Sequence, residues 1–350
     1  MISPARQVAF DVLRRVEEGG YAGDLLVRFS TRLSSRDAGL ASEIAFGVLR
    51  YQLQLDYIIG RLARGPLDSP VRIALRMGVY QLRYLERVPP HAAVGESVEL
   101  AKRSGKRSAA GLVNAVLRKI NRDPITWPDL ATELSMPAWL LERWDRQFGP
   151  ECATKIAATF LKPAETYIAE TGRVQDVGAQ SVVSFLDLHP GQTFLDLCAA
   201  PGNKTAQALA AGVEAVACDL HWHRLKQLEN LGCRRVVLDG TQALPFRGRF
   251  DRILVDAPCS GTGTLGRNPE IKWRLKASDL SELHKKQVAL VRNALEHLQP
   301  GGRLVYSTCS LEDEENRQVI AEVPGHWSIT QRLPGRDPGD GFFIAVLTSV

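Results

Sequence analysis

Long apolar runs are missing from this chain: nowhere in its 350 residues is there a stretch of the about 20 apolar residues that a membrane-spanning helix needs. The opening segment, Met1 to Gly20, does not read as a secretory leader either. It reads as an amphipathic helix with Val8, Val12, Leu13 and Val16 on its apolar face. These absences exclude a membrane-spanning helix and lead to the expectation of a soluble, cytoplasmic protein. Cysteine is sparse and unpatterned, with six residues that form no CxxC and no Cys/His ligand spacing. That excludes a zinc ribbon, leaves no metal site to expect, and suits the reduced thiols of a bacterial cytosol. The chain also has neither GxGxxG nor GxxxxGK[ST], so neither a dinucleotide nor a triphosphate is favoured as ligand. No internal repeat or low-complexity tract is present.

What is there divides unevenly along the chain. With 45% apolar residues, the sequence can fill two or three cores. Residues 1–125 hold 20 Lys and Arg against 12 Asp and Glu, whereas residues 126–350 hold 24 against 27. The basic excess thus belongs to the first part, where Lys102, Arg103, Lys106, Arg107, Arg118 and Lys119 cluster around one predicted helix-turn-helix. Phosphate contacts from such a cluster supply sequence-independent, salt-sensitive affinity, and RNA is the expected partner. Residues 1–125 read as helices broken at Gly19-Gly20, Gly65-Pro66 and Pro89-Pro90. Residues 126–175 read as a connector, Pro124 to Pro137, followed by a short helical segment with Trp139, Leu140, Leu141, Trp144 and Phe148 as its apolar positions. Residues 176–350 alternate strands with helices, the pattern of an α/β fold with a mostly parallel sheet. The last long helix is expected from Asp279 to Leu298, stopped by Pro300-Gly301-Gly302.

Chemistry gathers at the ends of those strands. Thr193 to Leu197 reads as a strand, and Cys198-Ala199-Ala200-Pro201-Gly202-Asn203-Lys204-Thr205 as a tight turn of small residues before a helix, which lets the backbone approach a ligand closely. Asp219 closes the next apolar run 23 residues after Asp196, where an acid can take ribose hydroxyls. Asp239 follows Val236-Val237-Leu238 and is placed to accept from the amine of an adenine. Asp256 ends Ile253-Leu254-Val255. Together the acids outline an adenosine pocket. Two cysteines 50 positions apart, Cys259 and Cys309, each follow a buried strand. A thiolate adds to an electron-poor ring carbon and a second thiol can help expel it, so the pair suggests covalent catalysis on a pyrimidine. Spacing alone leaves open which thiol attacks. The other four cysteines read as core filling, and the acidic run Glu312-Asp313-Glu314-Glu315 reads as the start of a helix, complementing its dipole.

The turn from Cys198 to Thr205, the acids after it, Asp256-Ala257-Pro258-Cys259-Ser260-Gly261-Thr262-Gly263-Thr264 and Tyr306-Ser307-Thr308-Cys309-Ser310-Leu311 resemble the RNA (cytosine-5)-methyltransferases, the family of the NOL1/NOP2/Sun proteins. Likeness covers about residues 170–350, including Val174 to Ser181 and Asp340 to Ala345. Upstream, Arg36 to Arg50, Pro90 to Lys102 and Val113 to Arg118 resemble the NusB-type helical RNA-binding domain. The two together mark the bacterial small-subunit methyltransferase B branch of the family. The resemblance implies a Rossmann-like class I methyltransferase fold over 176–350 preceded by an all-α NusB-like domain over 1–125. It implies S-adenosylmethionine as cofactor, held by Cys198, Ala199, Ala200, Pro201, Gly202, Asn203, Lys204, Asp219, Arg224, Asp239 and Asp256, and 16S rRNA or an assembly intermediate as substrate. It further implies Cys309 as the nucleophile at carbon 6 of cytosine, Cys259 as the thiol that assists proton removal and product release, and Asp256 at the base edge. A tRNA or another rRNA cytosine is the alternative substrate, and a non-catalytic RNA-binding assembly factor the alternative class. Nothing suggests more than a monomer.

Two departures from the family stand out. Asn203 replaces a usual glycine, and since asparagine tolerates a left-handed backbone the turn is expected to survive. Between Lys162-Pro163 and Gly172-Arg173-Val174 the chain lacks most of a small α/β subdomain.

Overall fold

The computed structural model describes residues 2–349. The chain forms two compact units, one of Met1–Lys162 with Gly266–Arg274, the other of Pro163–Leu265 with Leu275–Val350.

The first unit is helical. Helices Pro4–Glu17, Ser35–Arg50 and Ser69–Tyr84 bury Phe10, Leu13, Ile44, Val48, Ile73 and Met77 in one core. Gly47 and Gly78 let the helices close up, because a Cβ there would meet the Tyr80 ring at 1.9 Å or Leu117 at 2.5 Å. Six expected cations lie on or beside the helices Pro90–Arg103 and Ala110–Leu117, at half-buried or exposed positions. Two of them are paired, Lys102 with Glu99 at 2.6 Å and Lys106 with Asp68 at 2.8 Å. A return of the chain, Gly266–Arg274, belongs to this unit although the sequence pattern gave no sign of it. Lys272 is buried there, donating to the carbonyls of Arg50 (3.0 Å) and Ser135 (2.6 Å), and Ala22 N donates to Glu270 at 2.9 Å. Burial pushes the Lys272 ammonium down to about 7.

The second unit is an α/β fold built on seven strands: β1 Thr193–Asp196, β2 Glu214–Asp219, β3 Arg234–Val237, β4 Phe250–Asp256, β5 Leu298–Thr308, β6 His326–Arg332 and β7 Phe342–Ser349. Their order is β3-β2-β1-β4-β5-β7-β6, with β1 to β5 mutually parallel and β7 antiparallel to both neighbours. Successive residues point to opposite faces, so Leu195, Ile253, Val255, Leu304 and Tyr306 fill one core while Phe194, Leu254, Val305 and Ile344 fill the other. Both faces are covered, which is why these strands read as unbroken apolar runs. The helix Ala277–Glu296 covers the first face, with Val288, Leu290 and Val291 buried. The helices Val177–Ser184 and Asn203–Ala210 cover the second.

The long helix ends before Leu298, at Glu296, and Pro300-Gly301-Gly302 lies inside β5 rather than stopping the helix. Phe250 pairs with Leu298 but Arg252 with Arg303, so the Pro-Gly-Gly segment is looped out as a bulge, with Gly301 at φ 75°. Strand order reverses beside β1, and the crevice outside the carboxyl ends of β1 and β4 is where such sheets bind ligands. Among the described residues, no helix is long and apolar enough to cross a membrane.

Candidate active site

Parallel register delivers the acids side by side. Asp196 pairs with Leu254 and Asp256 with Ser307, so β1, β4 and β5 end together. A cavity of about 80 Å³ opens there, lined by Gln175, Ala179, Asp196, Cys198, Ala199, Ala200, Pro201, Asn203, Lys204 and Asp256. The turn above β1 is held against β2 by Ala199 N, which donates to Cys218 O at 2.7 Å. Gly202 then takes φ 97° ahead of the helix Asn203–Ala210, and a Cβ there would lie 2.5 Å from Leu228. The left-handed position is therefore Gly202, and Asn203 starts the helix with an ordinary backbone. The turn survives Asn203, as expected, without asking it for a left-handed backbone. The Asn203 side chain instead donates to Val174 O at 3.2 Å.

Asp196, the last residue of β1, is strongly perturbed. It is 1% exposed; Oδ2 accepts from Thr205 Oγ1 at 2.7 Å and Oδ1 has no hydrogen-bond partner. Burial, reinforced by the nearby Asp256, pushes its carboxyl up to about 7. Gln175 Oε1 is likewise buried and unpartnered. Lys204 reaches across to Asp256 at 2.6 Å, and Ser307 Oγ donates to the other Asp256 oxygen at 2.7 Å. Burial works to lower the Lys204 ammonium, but the Asp256 charge and hydrogen bond outweigh it and hold the group above its ordinary value. Cys198 is driven well up by burial and so stays a thiol.

The outer acids are arranged differently. Asp219 is buried at the end of β2, accepting from His221 N at 3.0 Å, with Arg224 at 3.3 Å. Arg224 also donates to Ala200 O at 3.2 Å, which ties the pair to the turn. Asp239 is exposed two residues past β3 and accepts from Thr241 N at 2.9 Å and Oγ1 at 2.7 Å, bonds that hold its carboxyl below its usual range. Asp219, Arg224 and Asp239 stand outside the lining of the cavity.

The two thiols come together. Cys259 Sγ and Cys309 Sγ lie 3.4 Å apart, both half-buried, on loops that follow β4 and β5. The hydrogen bond to Cys309 and burial push the Cys259 thiol well up, so Cys259 keeps its proton while the pair is intact. The loops are stitched by Gly263 N to Cys309 O (2.9 Å) and Leu311 N to Thr262 Oγ1 (2.9 Å). Gly263 admits no side chain, since a Cβ would meet Gly341 O at 2.4 Å. Glu315 departs from its expected part as a helix-start charge that complements a dipole. It is fully buried in a short turn before the helix Arg317–Ala321, and its carboxylate accepts from Ser260 N, Ser260 Oγ, Ser310 Oγ and Gln287 Nε2.

Residues 183–328 match the family model described as 16S rRNA methyltransferase RsmB/F, and residues 3–122 match the NusB family. The chain is similar to the ribosomal RNA small subunit methyltransferase B of Citrobacter koseri, 33% identical with 95% of each chain covered. It is 32% identical to the protein of that name from Klebsiella pneumoniae, over 98% of this chain and 97% of that one. The first of these alignments runs over 409 positions against 350 residues here, so the relative carries stretches that this chain lacks. In fold it is similar to the crystal structure of PH0851, with a TM-score of 0.80 at 22% identity over 99% of each chain.

Proposed function

The chain belongs to the ribosomal RNA small subunit methyltransferase B family, and from that premise we propose that it methylates carbon 5 of a cytosine in 16S rRNA through a covalent adduct between Cys309 and carbon 6. Its cofactor is S-adenosylmethionine, and its substrate is rRNA. The observation that carries the finer reading is the 3.4 Å separation of two thiols beside a lysine-paired Asp256.

The residues present fit the cofactor. Asp196 Oδ1 and Gln175 Oε1 are buried acceptors without partners, as an ammonium-bearing ligand requires. Ala199, Ala200 and left-handed Gly202 leave the backbone open, Lys204 and Asn203 border the same cavity, and Asp219 is left for ribose hydroxyls. When bound, S-adenosylmethionine supplies an electrophilic methyl group.

Carbon 5 of cytosine is a poor nucleophile until a thiolate adds at carbon 6 and makes it enamine-like. Cys309 is assigned that addition on the family resemblance of its motif, Tyr306 to Ser310, which leaves Cys259, 3.4 Å away, to assist release. Asp256 accepts from the exocyclic amine of the base, a donor that uracil lacks. Once Cys309 is bonded to carbon 6, Cys259 is the free thiol beside the adduct. Cys259 then loses its proton to solvent, takes the proton from carbon 5 as a thiolate, and the bond from Cys309 to carbon 6 breaks to return that sulfur as a thiolate. Atoms and charge balance, with one proton released per turnover. The base must leave its stack, at a cost of about a few kcal/mol, which favours loops or partly assembled RNA over intact duplex.

The test uses labelled S-adenosylmethionine and rRNA. Cys309→Ala abolishes transfer while cofactor binding persists, and Cys259→Ala accumulates a protein–RNA adduct that survives denaturation. Residual turnover in the first variant, or a gel with free protein alone in the second, overturns the assignment. Bisulfite sequencing of rRNA from a deletion strain identifies the cytosine, and an unchanged rRNA map with a changed tRNA map moves the substrate.

A further inference from the structure

We propose that Glu315 is a positioning residue for the thiol pair: its buried carboxylate clamps the loop of Cys259 to the loop of Cys309 and so sets the distance between the two sulfurs. This rests on the two-thiol reading of the site. One donor set comes from each loop, Ser260 N (2.8 Å) and Ser260 Oγ from the residue after Cys259, and Ser310 Oγ from the residue after Cys309. The two hydroxyls also lie 3.1 Å from each other, so the carboxylate closes a ring across both loops. Gln287 of the long helix donates to the same carboxylate at 3.0 Å, anchoring it to a rigid element. From below, Tyr306 of β5 donates its hydroxyl to Glu315 O, which fixes the turn itself. A carboxylate with four donors in a fully buried setting has one stable position, and each sulfur sits on the residue next to one of the serines it holds.

The clamp acts on geometry rather than on cofactor binding, because none of its members lines the cofactor cavity. That gives a readout that a merely structural role would not move. In the full-length protein, diamide oxidises the pair to an intramolecular disulfide: two thiols lose two protons and two electrons, the reagent becomes a hydrazine, and intact mass falls by two hydrogens. Glu315→Ala is expected to slow this closure and lower methyl transfer by about 100-fold, the scale for an ångström of misplacement, with S-adenosylmethionine affinity within about twofold of wild type. Glu315→Gln is expected to recover most of both, since its oxygen still accepts from Ser260 N and its amide donates to the serine hydroxyls. Wild-type closure and transfer in Glu315→Ala overturn the proposal, and so does a parallel loss of cofactor affinity in a folded variant, which would mark a structural role. Should Glu315→Ala fail to fold, Ser260→Ala with Ser310→Ala removes the clamp from its other side, and unchanged closure there also overturns it. Activity retained by Cys309→Ala would instead remove the reading on which the proposal rests, while the closure rate would still report on the clamp.

Discussion

The two halves of the crevice are built on opposite principles. On the cofactor side, buried polar atoms are left unfinished, with Asp196 Oδ1 and Gln175 Oε1 lacking partners beside a turn made of small residues. On the thiol side the central carboxylate is saturated, with Glu315 taking four donors and the loops stitched through Gly263 and Thr262, although the Oε1 of its donor Gln287 is left open. An unfinished surface gains its missing hydrogen bonds when the ligand arrives, and a saturated one holds reacting groups in place before it does. Asp256 belongs to both, as it lines the cavity, pairs with Lys204 and stands at the strand end that leads to Cys259.

The shared residue is where the comparison can be broken with the largest effect. Asp256→Asn keeps the shape but removes the charge that Lys204 neutralises and that faces the base. The expected loss is about 100-fold or more in kcat/KM for rRNA, the range seen when one preorganised electrostatic contact is removed from an active site. Steady-state kinetics with labelled cofactor measure it, and a loss below about fivefold would separate Asp256 from the chemistry.

A smaller effect is expected from the unfinished side. Asp196→Asn leaves an amide where an anion would meet an ammonium, and calorimetry should find S-adenosylmethionine bound about 10-fold more weakly, in line with about 1.5–3 kcal/mol for a hydrogen bond to a charged group. The wild type carries a pH signature as well. Its Asp196 carboxyl is held up to about 7 by burial, so below that pH a proton must be displaced before the anion forms. Affinity should therefore rise with pH up to about 7 and level off above it, by no more than about tenfold per unit, and the variant should lose that slope. For folding the sign is reversed. The proton is bound more tightly in the folded state, so this group stabilises the protein most below its unfolded value of about 3.9 and that contribution fades as pH rises through 7.

These residues differ in how far the sequence exposes them. Asp219, Asp256, Cys259 and Cys309 each follow an apolar run that reads as a buried strand, and a parallel sheet brings such ends to one edge. The mixed order with a mostly parallel sheet, and a helical first unit, were legible for the same reason of period and punctuation. Glu315 was not, because nothing local separates it from Glu314: its burial comes from Ser260 and Gln287, 55 and 28 residues away. Asp196 shows in the sequence only as a residue of the strand Thr193 to Leu197, since a missing hydrogen-bond partner has no sequence signature. The return segment Gly266–Arg274 escaped for another reason, as Lys272 and Arg274 look like surface cations until the carbonyls around them are in place. The bulge at Pro300-Gly301-Gly302 carries the same residues as a helix stop, and only strand register tells the two apart.

The smallest effect sharpens the comparison at the turn that opens the unfinished side. Because Gly202 holds the left-handed position and Asn203 is helical, Asn203→Gly relieves no strain. It removes one hydrogen bond to Val174 O, at 3.2 Å and exposed, and puts glycine in the first turn of a helix, which together cost on the order of 1 kcal/mol of stability. Cofactor affinity should stay within about twofold of wild type, since less than 0.5 kcal/mol separates such values. Gly202→Ala is the control in the same turn. Its Cβ would sit 2.5 Å from Leu228 at a φ of 97°, so it should weaken cofactor binding far more than Asn203→Gly does. Calorimetry on the two variants side by side decides the matter, and equal losses would mean that the turn's conformation is set by Asn203 after all.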